Sequence, residues 1–120
     1  CIDACPTDAI YEPWRIDSNR CISYLTIELK ESISKKYHRD LNEWVFGCDI
    51  CQDVCPWNFN AVKGHIEDLK PRPPALSGSI SKWYGMSKKE FDREFQGTAV
   101  RRAGYEHFIE CAKIVAENLA

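Results

Sequence analysis

The chemistry this sequence can do is concentrated in its thiol groups. Seven cysteines occur in 120 residues, and six of them fall between Cys1 and Cys55. The stretch Cys48-Asp49-Ile50-Cys51-Gln52-Asp53-Val54-Cys55-Pro56 reads C-x2-C-x3-C-P. That is the end of the C-x2-C-x2-C-x3-C-P run by which [4Fe-4S] clusters are held. Cys1-Ile2-Asp3-Ala4-Cys5-Pro6 reads C-x3-C-P, the tail of a second copy. Each iron at a cubane corner needs one thiolate, and closely spaced cysteines on a turn reach three corners while the fourth ligand comes from elsewhere. Two partial runs therefore point to a paired-cluster module, whose work is electron transfer.

In the paired form the cysteine before proline serves the other cluster. Cys1 and Cys55 then belong to one cluster, with two further cysteines expected upstream of Cys1. Cys5, Cys48 and Cys51 belong to the other, and Cys21, set apart by an inserted helical segment, completes its set. Because the chain opens inside a motif, it reads as a fragment. Zinc also accepts four thiolates at C-x2-C spacing, and disulfides are a third use of cysteine. The two Cys-Pro endings and the shared ligand favour clusters over both. Cys111 stands among Ile109, Ala112 and Val115 on a predicted helix and reads as a small buried thiol.

These ligands need elements to position them. A strand pair is predicted at residues 9–11 and 15–17, joined across Glu12-Pro13-Trp14. Ile22, Leu25 and Leu29 recur at helical spacing after Cys21, and Leu41, Trp44 and Val45 suggest a second helical patch. Lys70-Pro71-Arg72-Pro73-Pro74, with Gly78 and nearby serines, reads as an extended connector. Ser87-Lys88-Lys89-Glu90 has the form of a capping box and starts a helix at Lys88. Gly97 ends that helix, and a longer one from Thr98 would place Phe108, Ala112, Val115 and Leu119 on one face. The expected organisation is α+β. Residues 1–62 form a ferredoxin-like two-cluster module with inserted helices, 63–80 a linker, and 81–120 a small all-helical domain of HEAT-like repeat character.

A net charge of −2 and a pI near 5.9 argue against a strongly basic nucleic-acid binder. No run of eighteen apolar residues occurs, so no membrane span is expected.

Three separated stretches resemble one family. They are Cys-Ile-Asp-Ala-Cys-Pro-Thr-Asp-Ala-Ile from Cys1, Arg20-Cys21-Ile22-Ser23-Tyr24-Leu25-Thr26-Ile27-Glu28, and Gly47-Cys48-Asp49-Ile50-Cys51-Gln52-Asp53-Val54-Cys55-Pro56-Trp57-Asn58. Together they look like epoxyqueuosine reductase. Phe95-Gln96-Gly97-Thr98-Ala99-Val100-Arg101-Arg102-Ala103-Gly104 is similar to that family's C-terminal helical-repeat region. The resemblance implies a cytoplasmic, cobalamin-dependent oxidoreductase that reduces epoxyqueuosine to queuosine in the anticodon loop of tRNA, with the clusters feeding electrons to cobalt. It places the Cys5, Cys21, Cys48 and Cys51 cluster nearer the corrin and implies cobalamin contacts at Ser23, Ile50 and Cys51. It also implies that Lys30 meets tRNA, and Arg101 and Arg102 could hold phosphates as guanidinium forks.

A solvated helix face shared with Glu28 and Glu31 explains Lys30 equally well. Trp57, Trp83 and Tyr84 are open to base stacking or to core packing. His38, His65 and His107 have no partner at ligand spacing and receive no role. The expected partners are tRNA and a low-potential electron donor, without a membrane, for a chain acting as a monomer. The family's proton donor and most of its cobalamin pocket are expected upstream of Cys1, which leaves this part inactive by itself. A corrinoid reductive dehalogenase and a plain two-cluster electron carrier are the alternatives.

Overall fold

The structure is a computed structural model that describes residues 1–69 and 79–120. The extended connector expected at Lys70-Pro71-Arg72-Pro73-Pro74 and Gly78 lies outside the described residues. The remaining fold is helical with one small sheet.

Turns at Cys1–Pro6 lead into strands β1 (Ile10–Glu12) and β2 (Arg15–Ile16), which pair antiparallel with Ile10 opposite Ile16 and Glu12 opposite Arg15. Trp14 closes this hairpin at φ +65°, a left-handed conformation uncommon for a bulky residue, with its side chain in solvent. The chain then enters helix α1 (Ile22–Ile27), which buries Ile22, Leu25 and Thr26. Leu29 lies past its end and packs against the core from the following loop.

The helix expected around Leu41, Trp44 and Val45 does not form. Residues 38–43 are consecutive turns, held by i→i−3 bonds such as Asn42 N–H to Arg39 C=O and Trp44 N–H to Leu41 C=O. Asn42 stands at φ +48°, outside the right-handed helical region, and Gly47 at φ +76° redirects the chain just before Cys48. Leu41 and Val45 are nevertheless buried, so the apolar spacing correctly marked core positions while misjudging the backbone that carries them. Helix α2 (Ile50–Asp53) is a single turn between Cys48 and Cys55.

Where the described residues resume, Ser79 caps α3 (Ile80–Tyr84), its hydroxyl accepting from Lys82 N–H. The capping box then appears as expected. Ser87 Oγ accepts from Glu90 N–H at 3.3 Å, and Glu90 Oε2 accepts from Ser87 N–H at 2.8 Å, opening α4 (Lys88–Glu94). The long helix does not run from Thr98. A 3₁₀ turn occupies Ala99–Arg102, Gly104 at φ +86° breaks the path, and α5 extends from Tyr105 to Leu119. Phe108, Ala112 and Val115 face inward, whereas Leu119 at the frayed end is exposed.

One buried cluster joins the two halves of the sequence. Ile22, Ile33, Leu41 and Val45 pack with Met86, Phe91, Phe95, Phe108, Cys111, Ala112 and Val115. The rings of Phe91, Phe95 and Phe108 meet at centroid distances of 5.1–5.3 Å, with Trp83 and Tyr105 on the edge of the group. Polar bonds reinforce this seam. Glu110 accepts from Ile33 N–H, and Asn118 donates to the carbonyls of His38 and Asn42. His107, assigned no role from sequence, bonds the Leu25 carbonyl through Nε2 at 2.7 Å. Helix α5 is therefore the brace against which α1 and the turns after it are set.

Removal of the Ser87 hydroxyl as Ser87→Ala should lower stability by about 1 kcal/mol through loss of the cap. Phe91→Ala, which empties the centre of the aromatic group, should cost about 3–5 kcal/mol. Urea unfolding followed by circular dichroism ranks the two variants, and the reverse order would show that the aromatic cluster is not the main support of this segment.

Candidate metal centre

Four chain segments converge on one cavity. Its wall is formed by Cys5, Pro6, Ala9, Ile10, Ile16, Cys21, Ile22, Cys48, Ile50 and Cys51. The four thiols assigned to one cluster from spacing are thus brought together from the N-terminal turn, the start of α1 and the loop entering α2. Apolar residues supply the rest of the wall, with Ala9 and Ile22 buried and Ile16 exposed at its edge.

The sulfur environments differ. Around Cys5, partial burial pushes the thiol up. The Thr7 hydroxyl and the backbone N–H groups of Ile10, Ala9 and Thr7 more than offset this, and the thiol lies below its usual value. Ala9 N–H reaches Cys5 Sγ at 3.3 Å, and Thr7 Oγ1 stands 3.5 Å from it. Hydrogen bonds to sulfur are a standard means of setting a cluster's potential. At Cys48, burial pushes the thiol up and the Ile50 N–H pulls it down, while the neighbouring Cys21, Cys51 and Cys5 raise it further by like-charge repulsion. Four thiols gathered at one cavity suit a cationic iron-sulfur core, which would hold its ligands deprotonated. Among the described residues no group of three or more His, Cys, Asp or Glu side chains is suited to a single metal ion.

A residue overlooked from sequence fixes this geometry. Thr26 is fully buried in α1, donates through Oγ1 to the Ile22 carbonyl at 2.8 Å, and accepts from Gly47 N–H at 3.0 Å. Its hydroxyl therefore joins the helix that follows Cys21 to the residue before Cys48. The available signal was a polar residue on the inward face between Ile22 and Leu29.

The other sites are placed as follows. Cys1 is exposed and lines a separate apolar pocket with Ile2, Ile10, Pro13 and Trp14. Cys55 is half-buried and precedes the 3₁₀ turn Pro56–Asn58. Ser23 is half-buried in the first turn of α1, and Ile50 and Cys51 open α2 on the cavity wall. Lys30 is exposed at the rim of an open groove shared with Ser32, Ala103 and His107. Arg101 pairs with Asp92 at 3.2 Å, and Arg102 grips Glu28 with two nitrogens. Trp83 packs into the core, while Trp57 and Tyr84 are exposed. Cys111 is wholly buried in α5, and burial pushes its thiol up to about 12.

Comparison with known proteins agrees with this geometry. The family described as "4Fe-4S double cluster binding domain" matches residues 1–58. An epoxyqueuosine reductase of Cellulophaga algicola is 47% identical over 106 residues, which are 88% of this chain and 34% of the relative. The structure of epoxyqueuosine reductase from Bacillus subtilis superposes with a TM-score of 0.89 at 27% identity, covering 98% of this chain and 32% of that one. The chain belongs to the epoxyqueuosine reductase family. Another crystal structure of an epoxyqueuosine reductase, with an epoxyqueuosine-modified tRNA-Tyr stem loop, superposes equally well, with a TM-score of 0.89 at 27% identity over 98% of this chain and 31% of that one. The chain spans about a third of the length of the relatives it matches.

Two substitutions test the centre. Cys21→Ser should abolish stable iron binding in the cavity, whereas Cys111→Ser should leave iron content unchanged, both read by metal analysis after anaerobic reconstitution. Iron loss in the Cys111 variant would mean that the ligand set is wrong. Thr26→Val leaves Gly47 N–H without its acceptor, at a cost of about 1–3 kcal/mol. The cluster's visible absorbance should then bleach faster in air, and Thr26→Ser should restore its lifetime. Equal lifetimes in wild type and Thr26→Val would deny the hydroxyl this part.

Proposed function

We propose that this chain is the electron-carrying part of a cobalamin-dependent reductase that converts epoxyqueuosine to queuosine in tRNA. The gathering of Cys5, Cys21, Cys48 and Cys51 around one cavity carries the reading, and family membership supports its substrate. In this account those four cysteines hold one [4Fe-4S] cluster. Cys1 and Cys55 belong to a second, in a ferredoxin-like unit at 1–62, followed by a linker at 63–80 and a HEAT-like helical segment at 81–120.

Reduction of the epoxide to the alkene takes two electrons and two protons and releases the oxygen as water. When bound, the clusters supply single electrons at low potential and cobalamin supplies the centre for removing the oxygen. The chain's own residues bind and orient. Ser23 in the first turn of α1, with Ile50 and Cys51 at the start of α2, would meet the corrin beside the thiol cavity. The buried Ala9 and Ile22 give the cavity an apolar floor. Lys30, Arg101 and Arg102 would receive tRNA phosphates, positioning the anticodon loop without reading its sequence.

The proposed setting is a cytoplasmic monomer fed by a low-potential donor. Among the described residues no helix is long and apolar enough to cross a membrane. Anaerobic turnover by the full-length protein with cobalamin, a low-potential reductant and an epoxyqueuosine-modified stem loop tests the reading by mass spectrometry. Loss of one oxygen from the RNA is expected with the wild type and none with Cys48→Ser. Undiminished turnover in that variant would remove the cluster from the reaction.

A further inference from the structure

Two of the three cations assigned to phosphate contact, Arg101 and Arg102, are already ion-paired in the free protein. Arg102 Nε lies 2.5 Å from Glu28 Oε1, and a second guanidinium nitrogen lies 3.0 Å from Glu28 Oε2. This is the two-pronged geometry with which a guanidinium also takes a phosphate edge. The partners are 74 positions apart, Glu28 at the C-cap of α1 and Arg102 at the end of the 3₁₀ turn Ala99–Arg102. The bridge therefore exists only once the fold has set α1 beside that turn.

Its exposure argues against a purely structural role. The side chains of Arg102 and Glu28 are 68% and 39% exposed, and ion pairs so open to water contribute little to stability. The hydrogen bond from Arg102 holds the Glu28 carboxyl below the usual carboxylate range, so it remains a competing anion at neutral pH. Arg101, on the same turn, makes a single contact to Asp92, which Lys88 also holds. Lys30 and Ala103, neighbours in sequence of Glu28 and Arg102, line one groove. That groove also carries Glu31, Glu106 and Glu110, so its net charge does not attract RNA unaided.

We propose that Glu28 is a built-in competitor for the Arg102 phosphate fork, occupying it in the free protein and yielding it when an RNA phosphate docks. The inference rests on the reading of Arg102 as a tRNA contact. Its consequence is a damped electrostatic attraction. Docking frees a counterion from RNA but exposes a carboxylate that takes up a cation, so affinity and salt dependence are both lower than the arginine alone would confer. The effect concerns phosphates and is blind to the base.

The test uses the full-length, cluster-loaded protein and fluorescently labelled anticodon stem loops, with and without epoxyqueuosine, across a series of salt concentrations. Glu28→Gln should tighten binding of both RNAs by the same factor, about two- to fivefold, comparable to the strength of an exposed ion pair. The plot of log affinity against log salt should steepen by about 0.7–0.9. Unchanged iron content and thermal midpoint certify that the variant is folded, and Glu28→Asp, which keeps the charge, should bind like the wild type.

Arg102→Ala separates the two ideas. If it weakens binding while Glu28→Gln leaves affinity and salt slope unchanged, the tRNA contact stands and the competitor is overturned. If Arg102→Ala binds as well as the wild type, the phosphate contact fails and the competitor with it.

Discussion

The hydrogen bond from Gly47 N–H to Thr26 Oγ1 is the constraint on which the thiol cavity depends. Cys21 and Cys48 are far apart in sequence, and neither the short helix α1 nor the turns at 38–43 hold them in register alone. Thr26 closes that gap from a fully buried position, with its proton committed to Ile22. The other partner is a glycine at φ +76°, where a side chain would meet no neighbour but the backbone itself would be strained. One hydroxyl and one glycine thereby connect the helix after Cys21 to the residue before Cys48.

The rest of the fold keeps this connection in place. Helix α5 offers α1 an apolar face through Phe108, Ala112 and Val115 and a polar anchor through His107, while Glu110 holds Ile33 in the loop beyond. The aromatic group of Phe91, Phe95 and Phe108 gives α5 its own support. The helical segment is therefore coupled to the thiol cavity through packing, while its exposed Arg101 and Arg102 pair with Asp92 and Glu28.

What the sequence disclosed was local. The Cys-Pro endings, the hairpin and the Ser87–Glu90 box each follow from residues within a few positions of one another. The grouping of Cys5, Cys21, Cys48 and Cys51 is visible in the structure, and their service as cluster ligands remains the proposal. Hidden features depend on distant partners or on backbone sign. Leu41, Trp44 and Val45 keep a helical period while Asn42 takes a left-handed conformation, and Gly104 splits what Thr98 onward suggested as one helix. The partnerships of Thr26 with Gly47, Glu28 with Arg102 and His107 with Leu25 join segments that no short-range pattern relates.

The central claim is that the cavity holds a [4Fe-4S] cluster. Anaerobic reconstitution of residues 1–120 with iron and sulfide, followed by metal and sulfide analysis and EPR of the reduced sample, tests it most directly. A cluster in the cavity gives about four irons and four sulfides per chain, with the signal of a reduced [4Fe-4S] centre. Zinc bound by the same thiols without sulfide would contradict it and make this a structural metal site.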